Sequence, residues 1–208
     1  MISCCMIVQD EELCITRAIE SVHDFDCISE IVVLDGGSTD NTKMLATKYA
    51  KVKFHEFLFR PSLEDDIEMG MDDQKNRAIA LAVEDWILFV DADEYYEPYV
   101  LQSLPTLVQS EYDAFRFSRR NFIGGILTNL YTYDYQVRLF KRYCKYKGKI
   151  HEGVVGYKNS TEVNLTIMHV KTGDQQLLDD MRCWDLGQQP FPGWEKIEGK
   201  WVYTGGNK

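Results

Sequence analysis

Three carboxylates follow a short apolar run in the stretch WILFVDADEYYEP, residues 86–98. Asp91 and Asp93 are two residues apart, and Glu94 follows directly. Carboxylates repel one another and resist burial, so a bound cation best explains a buried strand that ends in several of them. Oxygen ligands suit Mg²⁺ or Mn²⁺, and two carboxylates leave coordination positions for phosphate oxygens. The spacing therefore predicts a metal site for a nucleoside diphosphate; the alternative is a solvated acidic turn before a helix that Pro98 opens.

The segments that would position these acids alternate between strand and helix. Apolar runs without helical periodicity predict strands over 2–8, 30–35, 52–57 and 86–91. Amphipathic or capped segments predict helices over 9–22, with acids in the first turn, 42–50, with Asp40 or Asn41 as cap, 73–83 and 98–109. This order is typical of parallel βαβ units in a doubly wound sheet. Ligands bind beyond the carboxyl ends of such strands, so Asp35 and Asp91 should face one crevice.

After about residue 112 the pattern changes to alternating apolar and polar residues. DAFRFSRRNF, YDYQVRLFKRY and GKIHEGVVGY predict antiparallel or mixed strands that extend the same sheet. The stretch from about Trp184 is rich in Gly, Pro and Trp and has no clear periodicity, which predicts a tail or lid.

Composition limits the class of protein. The chain has 208 residues, 45% hydrophobic, with a net charge of −10, which argues against a surface for non-specific nucleic-acid binding. No stretch approaches the roughly 20 apolar residues of a membrane-spanning helix, and the first residues lack the positive start of a secretory signal. The six cysteines form no C-x-x-C pair, so we expect buried free thiols and a soluble protein of the reducing cytoplasm.

Five ordered motifs together resemble the family 2 glycosyltransferases of the GT-A fold. They are SCCMIVQDEE (3–12), VLDGGSTDNT (33–42), K-N-x-A (75–78) with EDWILFVDADE (84–94), RLFKRYCKYKGKIHE (138–152), and IMHVKTG, which contains His169. The resemblance covers about residues 2–173. Two departures stand out: Lys75-Asn76 replaces the usual Arg-Asn of the family, and Asp10-Glu11-Glu12 replaces Asn-Glu-Glu.

This resemblance implies an α/β GT-A fold, a Rossmann-like doubly wound mixed sheet with a small antiparallel C-terminal extension. Residues 1–173 would form the glycosyltransferase domain, with a nucleotide-binding half over 1–111 and an acceptor and catalytic half over 112–173. Residues 174–208 would form a C-terminal helix and tail. The implied reaction is transfer of a sugar from a nucleotide-sugar donor, a UDP-sugar above all, to an acceptor hydroxyl, with inversion.

The resemblance also implies roles around the metal and the reacting sugar. Asp93 would coordinate Mn²⁺ or Mg²⁺, Asp91 would contact the metal or the ribose, and His169 would be a third ligand or a phosphate contact. A satisfied structural histidine is the other interpretation of His169. Glu152 would be the general base, with Asp134 in reserve, and His151 would orient the base or touch the donor. A surface glutamate in a strand turn is the alternative for Glu152.

The remaining implied residues bind the donor. Asp35 would accept a hydrogen bond from the nucleobase, such as the N3–H of uracil, since a carboxylate accepts but does not donate. Val8 and Glu11 would border the base and ribose, and Lys75 would neutralise phosphate or contact the base edge. Arg138 stands out in a basic stretch that would bind the diphosphate or an anionic acceptor or solvate the strands. That stretch consists of Arg116, Arg119, Arg120, Arg138, Lys141 and Arg142.

Three questions stay open on sequence alone. The tryptophans at 184, 194 and 201 would stack on an acceptor sugar or pack over a sheet edge. A nucleotidyltransferase on a similar sheet is a second enzyme hypothesis, although the acidic QDEE disfavours it because such enzymes need a Gly-rich basic loop after the first strand. A sugar- or nucleotide-binding module without turnover is the non-enzymatic alternative. The donor sugar, the acceptor and the oligomeric state are not predicted.

Overall fold

The computed structural model describes residues 1–58, 70–128, 134–148, 152–185 and 189–204. Of residues 178, 179 and 182–184 only the backbone is described. Its strands, in chain order, are β1 Ile2–Val8, β2 Ile28–Asp35, β3 Val52–Glu56, β4 Trp86–Phe89, β5 Glu94–Tyr96, β6 Ala114–Ile123, β7 Ile126–Leu127, β8 Asp134–Lys141, β9 Lys145–Lys147, β10 Gly153–Val155, β11 Ser160–Lys171, β12 Trp194–Ile197 and β13 Lys200–Tyr203. The helices are α1 Ile15–His23, α2 Thr42–Ala46, α3 Met71–Leu81, α4 Pro98–Leu107 and α5 Gly173–Asp185.

One mixed sheet organises the described chain. Its strand order is β3-β2-β1-β4-β8-β6-β11-β5, with β7 paired to β6. The strands β3, β2, β1 and β4 are parallel, whereas β8 runs antiparallel to both β4 and β6. This architecture confirms the predicted α/β fold with a doubly wound mixed sheet, and β9–β10 and β12–β13 add small antiparallel pairs.

Strand side chains point alternately to the two faces of the sheet, and helices pack against both sets of buried side chains. In β1, Cys4 and Met6 pack in the core that contains the buried faces of α1 and α4. Cys5 packs in the second core, together with Ala78 and Ile79 of α3. The carboxyl ends of the parallel strands β1, β2 and β4 lie at one edge of the sheet, where the ligands of such sheets usually bind.

The predicted start of the first helix is wrong. The helix begins at Ile15, and none of its first-turn residues is acidic. The acids before it bind the loop after β2 instead: Asp10 Oδ1 accepts from Thr39 N at 2.7 Å, and Glu12 Oε2 accepts from Asn41 Nδ2 at 2.8 Å. Asp10 has a φ of 56°, which turns the chain away from a helical path.

The second helix is also shorter than predicted. It ends at Ala46 rather than near residue 50, and its N-cap residue, Asn41, makes no side-chain capping bond. The Asp40 carboxylate accepts from the N–H of Thr42, the first residue of the helix, at 2.9 Å, which is the bond predicted for a capping residue, and from Glu12 N at 3.0 Å. The Asp40 carboxylate thus joins the loop after β1 to the loop after β2.

The last described stretch has more structure than a tail. Strands β12 and β13 pair as a hairpin, whose turn holds Glu198 and Gly199 at φ values of 48° and 77°. Two consecutive residues with positive φ are typical of a tight hairpin turn. The prediction of a tail rested on the Gly, Pro and Trp content of this stretch and missed the turn at Glu198 and Gly199. Within the described parts of the chain, no helix is long and apolar enough to cross a membrane. The domain bounds at 1–173 and 174–208 stay a prediction.

The cysteines at 4, 5, 14, 27 and 144 are free thiols, as predicted for these positions. All except Cys27 are buried. Burial raises the pKa of the Cys144 thiol to about 11. The described cysteines therefore pack as small apolar side chains rather than as reactive groups.

Candidate active site

Lys75 lies at the centre of the acidic strand end. Its side chain extends from α3, and its ammonium nitrogen is 3.2 Å from Asp91 Oδ1 and 2.7 Å from Glu152 Oε1. The same nitrogen lies about 5 Å from the ring centroids of Phe89 (5.0 Å) and Tyr146 (4.9 Å). Burial alone would lower the pKa of Lys75, but Asp91, Tyr146 and Glu152 outweigh it and raise that pKa. A fixed positive charge thus holds two of the predicted site carboxylates together.

Arg138 supports Asp91 from behind. The guanidinium of Arg138 is buried, and its Nη2 donates to Asp91 Oδ2 and, at 2.7 Å, to Glu94 Oε1. Glu94 is fully buried and also lies 3.5 Å from the guanidinium of Arg119. Burial would raise the pKa of Asp91, but Arg138 and Lys75 lower it well below its usual range. Arg138 therefore orients carboxylates in this structure, and its predicted contact with donor or acceptor stays a prediction.

Asp93 contacts a second pair of residues, His169 and Lys171. Asp93 Oδ2 lies 3.1 Å from His169 Nε2 and 3.0 Å from Lys171 Nζ. Burial would raise the pKa of Asp93, but the His169 hydrogen bond and the charge of Lys171 lower it to about 2. The backbone fixes this arrangement, since Val170 N donates to Asp93 O at 3.0 Å and His169 pairs with Glu94 across β11 and β5.

These groups fit part of a divalent-cation site. Asp93 Oδ2 and His169 Nε2 offer one oxygen and one nitrogen ligand on the same side, a donor set that suits Mn²⁺. Asp91 is held by Lys75 and Arg138 instead. Among the described residues, no three His, Cys, Asp or Glu side chains come together at metal-binding spacing. A cation bound by Asp93 and His169 would need its other ligands from water, phosphate oxygens or a reoriented Asp91.

The predicted nucleobase contact, Asp35, lies at the end of β2 next to Val8 of β1. Its carboxylate accepts from Gly37 N at 3.2 Å and from Ser38 N at 3.0 Å, and it also contacts the Ser38 hydroxyl. Asp35 is buried, and these bonds shape the turn after β2. Glu11 borders the same edge, where its backbone N–H donates to Thr42 Oγ1 at 2.7 Å. The nucleobase and ribose roles of these residues stay predictions.

The two candidates for general base lie in different surroundings. Glu152 faces Lys75 at the acidic strand end. Asp134, at the start of β8, accepts from Arg119 Nε at 2.8 Å, Asn121 Nδ2 at 3.2 Å and Gln136 Nε2 at 2.7 Å. The Asp134 carboxylate is thus bound within a network of three side chains, whereas Glu152 shares the ammonium group of Lys75 with Asp91. His151 lies outside the described residues.

The C-terminal tryptophans contact elements of the tail. Trp194 packs near Tyr203, with ring centroids 5.5 Å apart across the hairpin. Trp201 Nε1 donates to Asp185 Oδ1 at 2.8 Å, which connects the hairpin to the end of α5. The side chain of Trp184 lies outside the described residues. Their predicted stacking on an acceptor sugar is untested.

Sequence reasoning missed two functional candidates, Lys171 and Asn121, and it grouped Glu94 with the acidic strand end without giving it a role of its own. Glu94 follows the D-x-D directly, and its buried ion pair with Arg138 gives it a clear role in the site. Lys171 is two residues after His169, so strand alternation places both side chains on one face. That spacing was the available signal for Lys171; nothing local in the sequence points to Asn121, which meets His169 only through strand pairing.

Comparison with known families adds a decisive observation. The family model described as Glycosyl transferase family 2 matches residues 3–162, more than half of the chain. The chain belongs to glycosyltransferase family 2.

Two curated relatives of this family 2 chain are much longer proteins. Over 93 residues it is 40% identical to a TPR repeat-containing protein of Synechococcus elongatus, an alignment that covers 45% of this chain and 20% of the relative. Over 176 residues it is 28% identical to the SPbeta prophage-derived glycosyltransferase SunS of Bacillus subtilis, covering 81% of this chain and 39% of SunS. The chain therefore spans a fifth to about two fifths of the length of these relatives.

A solved structure supports the same fold for this family 2 chain. Glucosyl-3-phosphoglycerate synthase from Mycobacterium tuberculosis, in complex with Mn²⁺, uridine diphosphate and glucosyl-3-phosphoglycerate, aligns with a TM-score of 0.56. The alignment covers 98% of this chain and 86% of that one at 17% identity. The likeness extends over the mixed sheet and confirms the GT-A fold class.

Proposed function

We propose that this family 2 chain transfers a sugar, with inversion, from a nucleotide-sugar donor to an acceptor hydroxyl, with the help of Mn²⁺ or Mg²⁺. The observation that carries the proposal is the shared ammonium of Lys75, which joins Asp91 of the acidic strand end to the candidate base Glu152. A leaving-group site and a base must lie on either side of one anomeric carbon for such a reaction. Lys75 brings the two carboxylates within reach of one sugar.

The donor would bind at the carboxyl ends of β1, β2 and β4. The nucleotide would lie between Val8, Glu11 and Asp35, and its diphosphate would point towards Asp93 and His169. A divalent cation bound there would stabilise the negative charge that develops on the departing diphosphate. Lys171, 3.0 Å from Asp93, adds a positive charge on the same side. The structural relative crystallised with Mn²⁺ and uridine diphosphate supports a UDP-sugar as donor.

Glu152 would accept the proton of the acceptor hydroxyl. The acceptor oxygen then attacks the anomeric carbon from the face opposite the diphosphate, the bond from that carbon to the diphosphate oxygen breaks, and the proton stays on Glu152. Attack from the opposite face inverts the anomeric centre. A carboxylate can take this proton, and the ion pair with Lys75 holds the Glu152 carboxylate near Asp91.

Calorimetry tests this proposal directly. Titration of the wild-type protein with UDP should show binding in Mn²⁺ that is weakened at least tenfold in EDTA. Asp93→Asn should reduce the Mn²⁺-dependent gain. Glu56→Gln is the matched control, because Glu56 of β3 lies in an exposed ion pair with Lys43 of α2. This substitution should leave UDP binding unchanged. Equal UDP affinity with Mn²⁺ and with EDTA would contradict the metal-dependent part of the proposal.

Turnover separates an enzyme from a binding module. The wild-type protein should release UDP slowly from a suitable UDP-sugar even without acceptor, since water can replace the acceptor hydroxyl. A thermal-shift panel of nucleotide sugars identifies the donor to use, because a ligand that binds only the folded state raises the melting temperature. Donor binding without UDP release, with every acceptor tried, would favour the binding module over the transferase.

A further inference from the structure

Asn121 lies beside the predicted metal ligand His169 although 48 residues separate them in the chain. The two residues are direct partners in the parallel pairing of β6 and β11, so their side chains share one face of the sheet. His169 Nδ1 is 2.9 Å from Asn121 Oδ1, a distance at which the ring N–H donates to the amide oxygen. The opposite ring nitrogen, Nε2, is hydrogen-bonded to Asp93 Oδ2 at 3.1 Å, and a cation bound between the two atoms would take the place of this hydrogen bond.

Asp134 fixes which end of the Asn121 amide faces the histidine. Asn121 Nδ2 donates to Asp134 Oδ2 at 3.2 Å. Burial would raise the pKa of Asp134, but Arg119 and the hydrogen bond from Gln136 outweigh it and keep the carboxylate charged. A flipped amide would place its oxygen against this carboxylate, two acceptors with no proton between them. The orientation that Asp134 favours therefore leaves Oδ1 as an acceptor for His169.

We infer that Asn121, oriented by Asp134, is a positioning residue that holds a proton on His169 Nδ1 and so directs Nε2 and its lone pair to a divalent cation shared with Asp93. This inference rests on the proposed function, because it gives His169 its role as a ligand. A ligating histidine needs a hydrogen-bond acceptor at its other nitrogen, which fixes the ring orientation and strengthens the ligand. Here Asn121 supplies that acceptor.

A purely structural role for Asn121 makes a different prediction. If the Asn121–His169 bond only braces β6 against β11, its loss should lower the free energy of unfolding and leave cation affinity unchanged. Ser118 provides the matched comparison, because its hydroxyl lies 3.0 Å from Thr166 Oγ1 across the same two strands. Ser118→Ala removes a polar contact between these strands without touching His169.

The first measurement needs neither metal nor donor. In protein labelled with ¹⁵N-histidine, the imidazole N–H correlations are recorded, and His169→Gln assigns one of the four histidines of the chain. We expect a slowly exchanging Nδ1–H for His169 in the wild type and in Ser118→Ala, and its loss in Asn121→Leu. The swap N121D/D134N should retain it, because the carboxylate introduced at position 121 would accept from His169 while the amide introduced at position 134 donates to that carboxylate. A wild-type His169 without an Nδ1–H would overturn the inference.

The second measurement is Mn²⁺ affinity by calorimetry in the presence of UDP. Asn121→Leu should weaken Mn²⁺ binding by about 10–100-fold, the usual effect of removing the hydrogen-bond partner of a ligating histidine. The swap N121D/D134N should recover most of that loss, and Ser118→Ala should bind as the wild type does. Circular dichroism checks that each variant is folded.

The outcomes separate this inference from the proposed function. Wild-type affinity in Asn121→Leu would overturn the inference alone, since the protein would still bind Mn²⁺ and UDP. A swap variant that keeps its Nδ1–H but binds Mn²⁺ as weakly as His169→Gln would also overturn it, and this test does not depend on Asn121→Leu being folded. No Mn²⁺ binding by the wild type would overturn both the inference and the metal-dependent function.

Discussion

The ammonium nitrogen of Lys75 lies 2.7 Å from the carboxylate of Glu152. Lys75 belongs to α3, in the part of the chain that supplies the parallel strands, whereas Glu152 precedes β10 in the second part. The Lys75–Glu152 ion pair therefore connects the side of the site expected to hold the nucleotide with the side expected to hold the base. Because Lys75 also contacts Asp91, its substitution should affect both the expected nucleotide side and the expected base side of the site.

We expect Lys75→Met to weaken sugar transfer and Lys75→Arg to retain most of it. Arginine keeps the positive charge near Asp91 and Glu152, and it is the residue that family 2 usually has in this motif. Methionine takes the Lys75 cation away from Glu152 and leaves Asp91 paired with Arg138; a broken buried ion pair costs about 3–5 kcal/mol of stability. Steady-state kinetics of UDP release and urea denaturation measure the two effects. Equal activity of Lys75→Met and wild type would contradict a role for this charge.

Separate substitution of the two candidates for general base, Glu152 and Asp134, gives a second prediction. Glu152→Gln should lower kcat by about 10²–10⁴-fold, the usual contribution of a general base, with little change in the donor KM. Asp134→Asn should retain kcat at saturating Mn²⁺, because Asp134 is bound by Arg119 and Gln136 rather than facing Lys75. Both variants are isosteric and remove one charge, so each controls for the other. A larger loss of kcat in Asp134→Asn would make Asp134 the base.

The parallel half of the fold was predictable from local pattern alone. Runs such as 4–8 and 31–34 are continuously apolar because both faces of these strands are buried in the two cores. The end of such a run also marks the carboxyl end of the strand, which is why Asp35 and Asp91 were predicted to face one crevice. Sequence pattern therefore predicted the place of the candidate site without any knowledge of strand order.

The partners of these acids were not predictable in the same way. Arg138 reaches Glu94, and Asn121 reaches His169, through the strand order β8-β6-β11-β5 and its register. A single sequence records neither the order nor the register of distant strands. The prediction that the acids at 10–12 begin a helix was wrong for a related reason. Asp10 and Glu12 accept hydrogen bonds from the loop after β2 rather than from the helix that follows them. Local propensity cannot show a competing partner that lies far along the chain.

Substitution of Arg138 distinguishes two roles for this residue, support of the neighbouring carboxylates and direct contact with the substrate. Arg138→Met should lower the free energy of unfolding by about 3–5 kcal/mol, since it leaves the fully buried carboxylate of Glu94 and the partly exposed carboxylate of Asp91 without their shared cation. Arg142→Met is the matched control, because Arg142 is partly exposed and 3.8 Å from Asp85. Its loss should cost less than about 1 kcal/mol. Urea denaturation measures both. A stable Arg138→Met protein that fails only to bind donor would instead favour the direct contact predicted from sequence.

Glu30 provides a prediction about stability and pH that is independent of catalysis. This residue of β2 is buried, and its Oε1 accepts from Ser3 Oγ at 2.6 Å and from Val83 N at 2.7 Å. Its Oε2 lies 2.7 Å from Lys53 Nζ. Burial would raise the pKa of Glu30, but Lys53, Ser3 and the Val83 N–H outweigh it and lower that pKa. The folded state thus prefers the charged carboxylate.

The sign of the pH dependence follows from that lowered pKa. The folded protein binds the Glu30 proton less readily than the unfolded chain, so Glu30 stabilises the fold above its unfolded pKa of about 4.3. That stabilisation is lost as the pH falls through the lower folded pKa. Glu30→Gln should therefore cost about 1–3 kcal/mol at neutral pH, and the difference from wild type should shrink in acid. Urea denaturation at a series of pH values measures this change, with Glu56→Gln, in an exposed pair with Lys43, as the control. A Glu30→Gln deficit that stays constant as the medium is acidified would show that the carboxylate charge contributes nothing there.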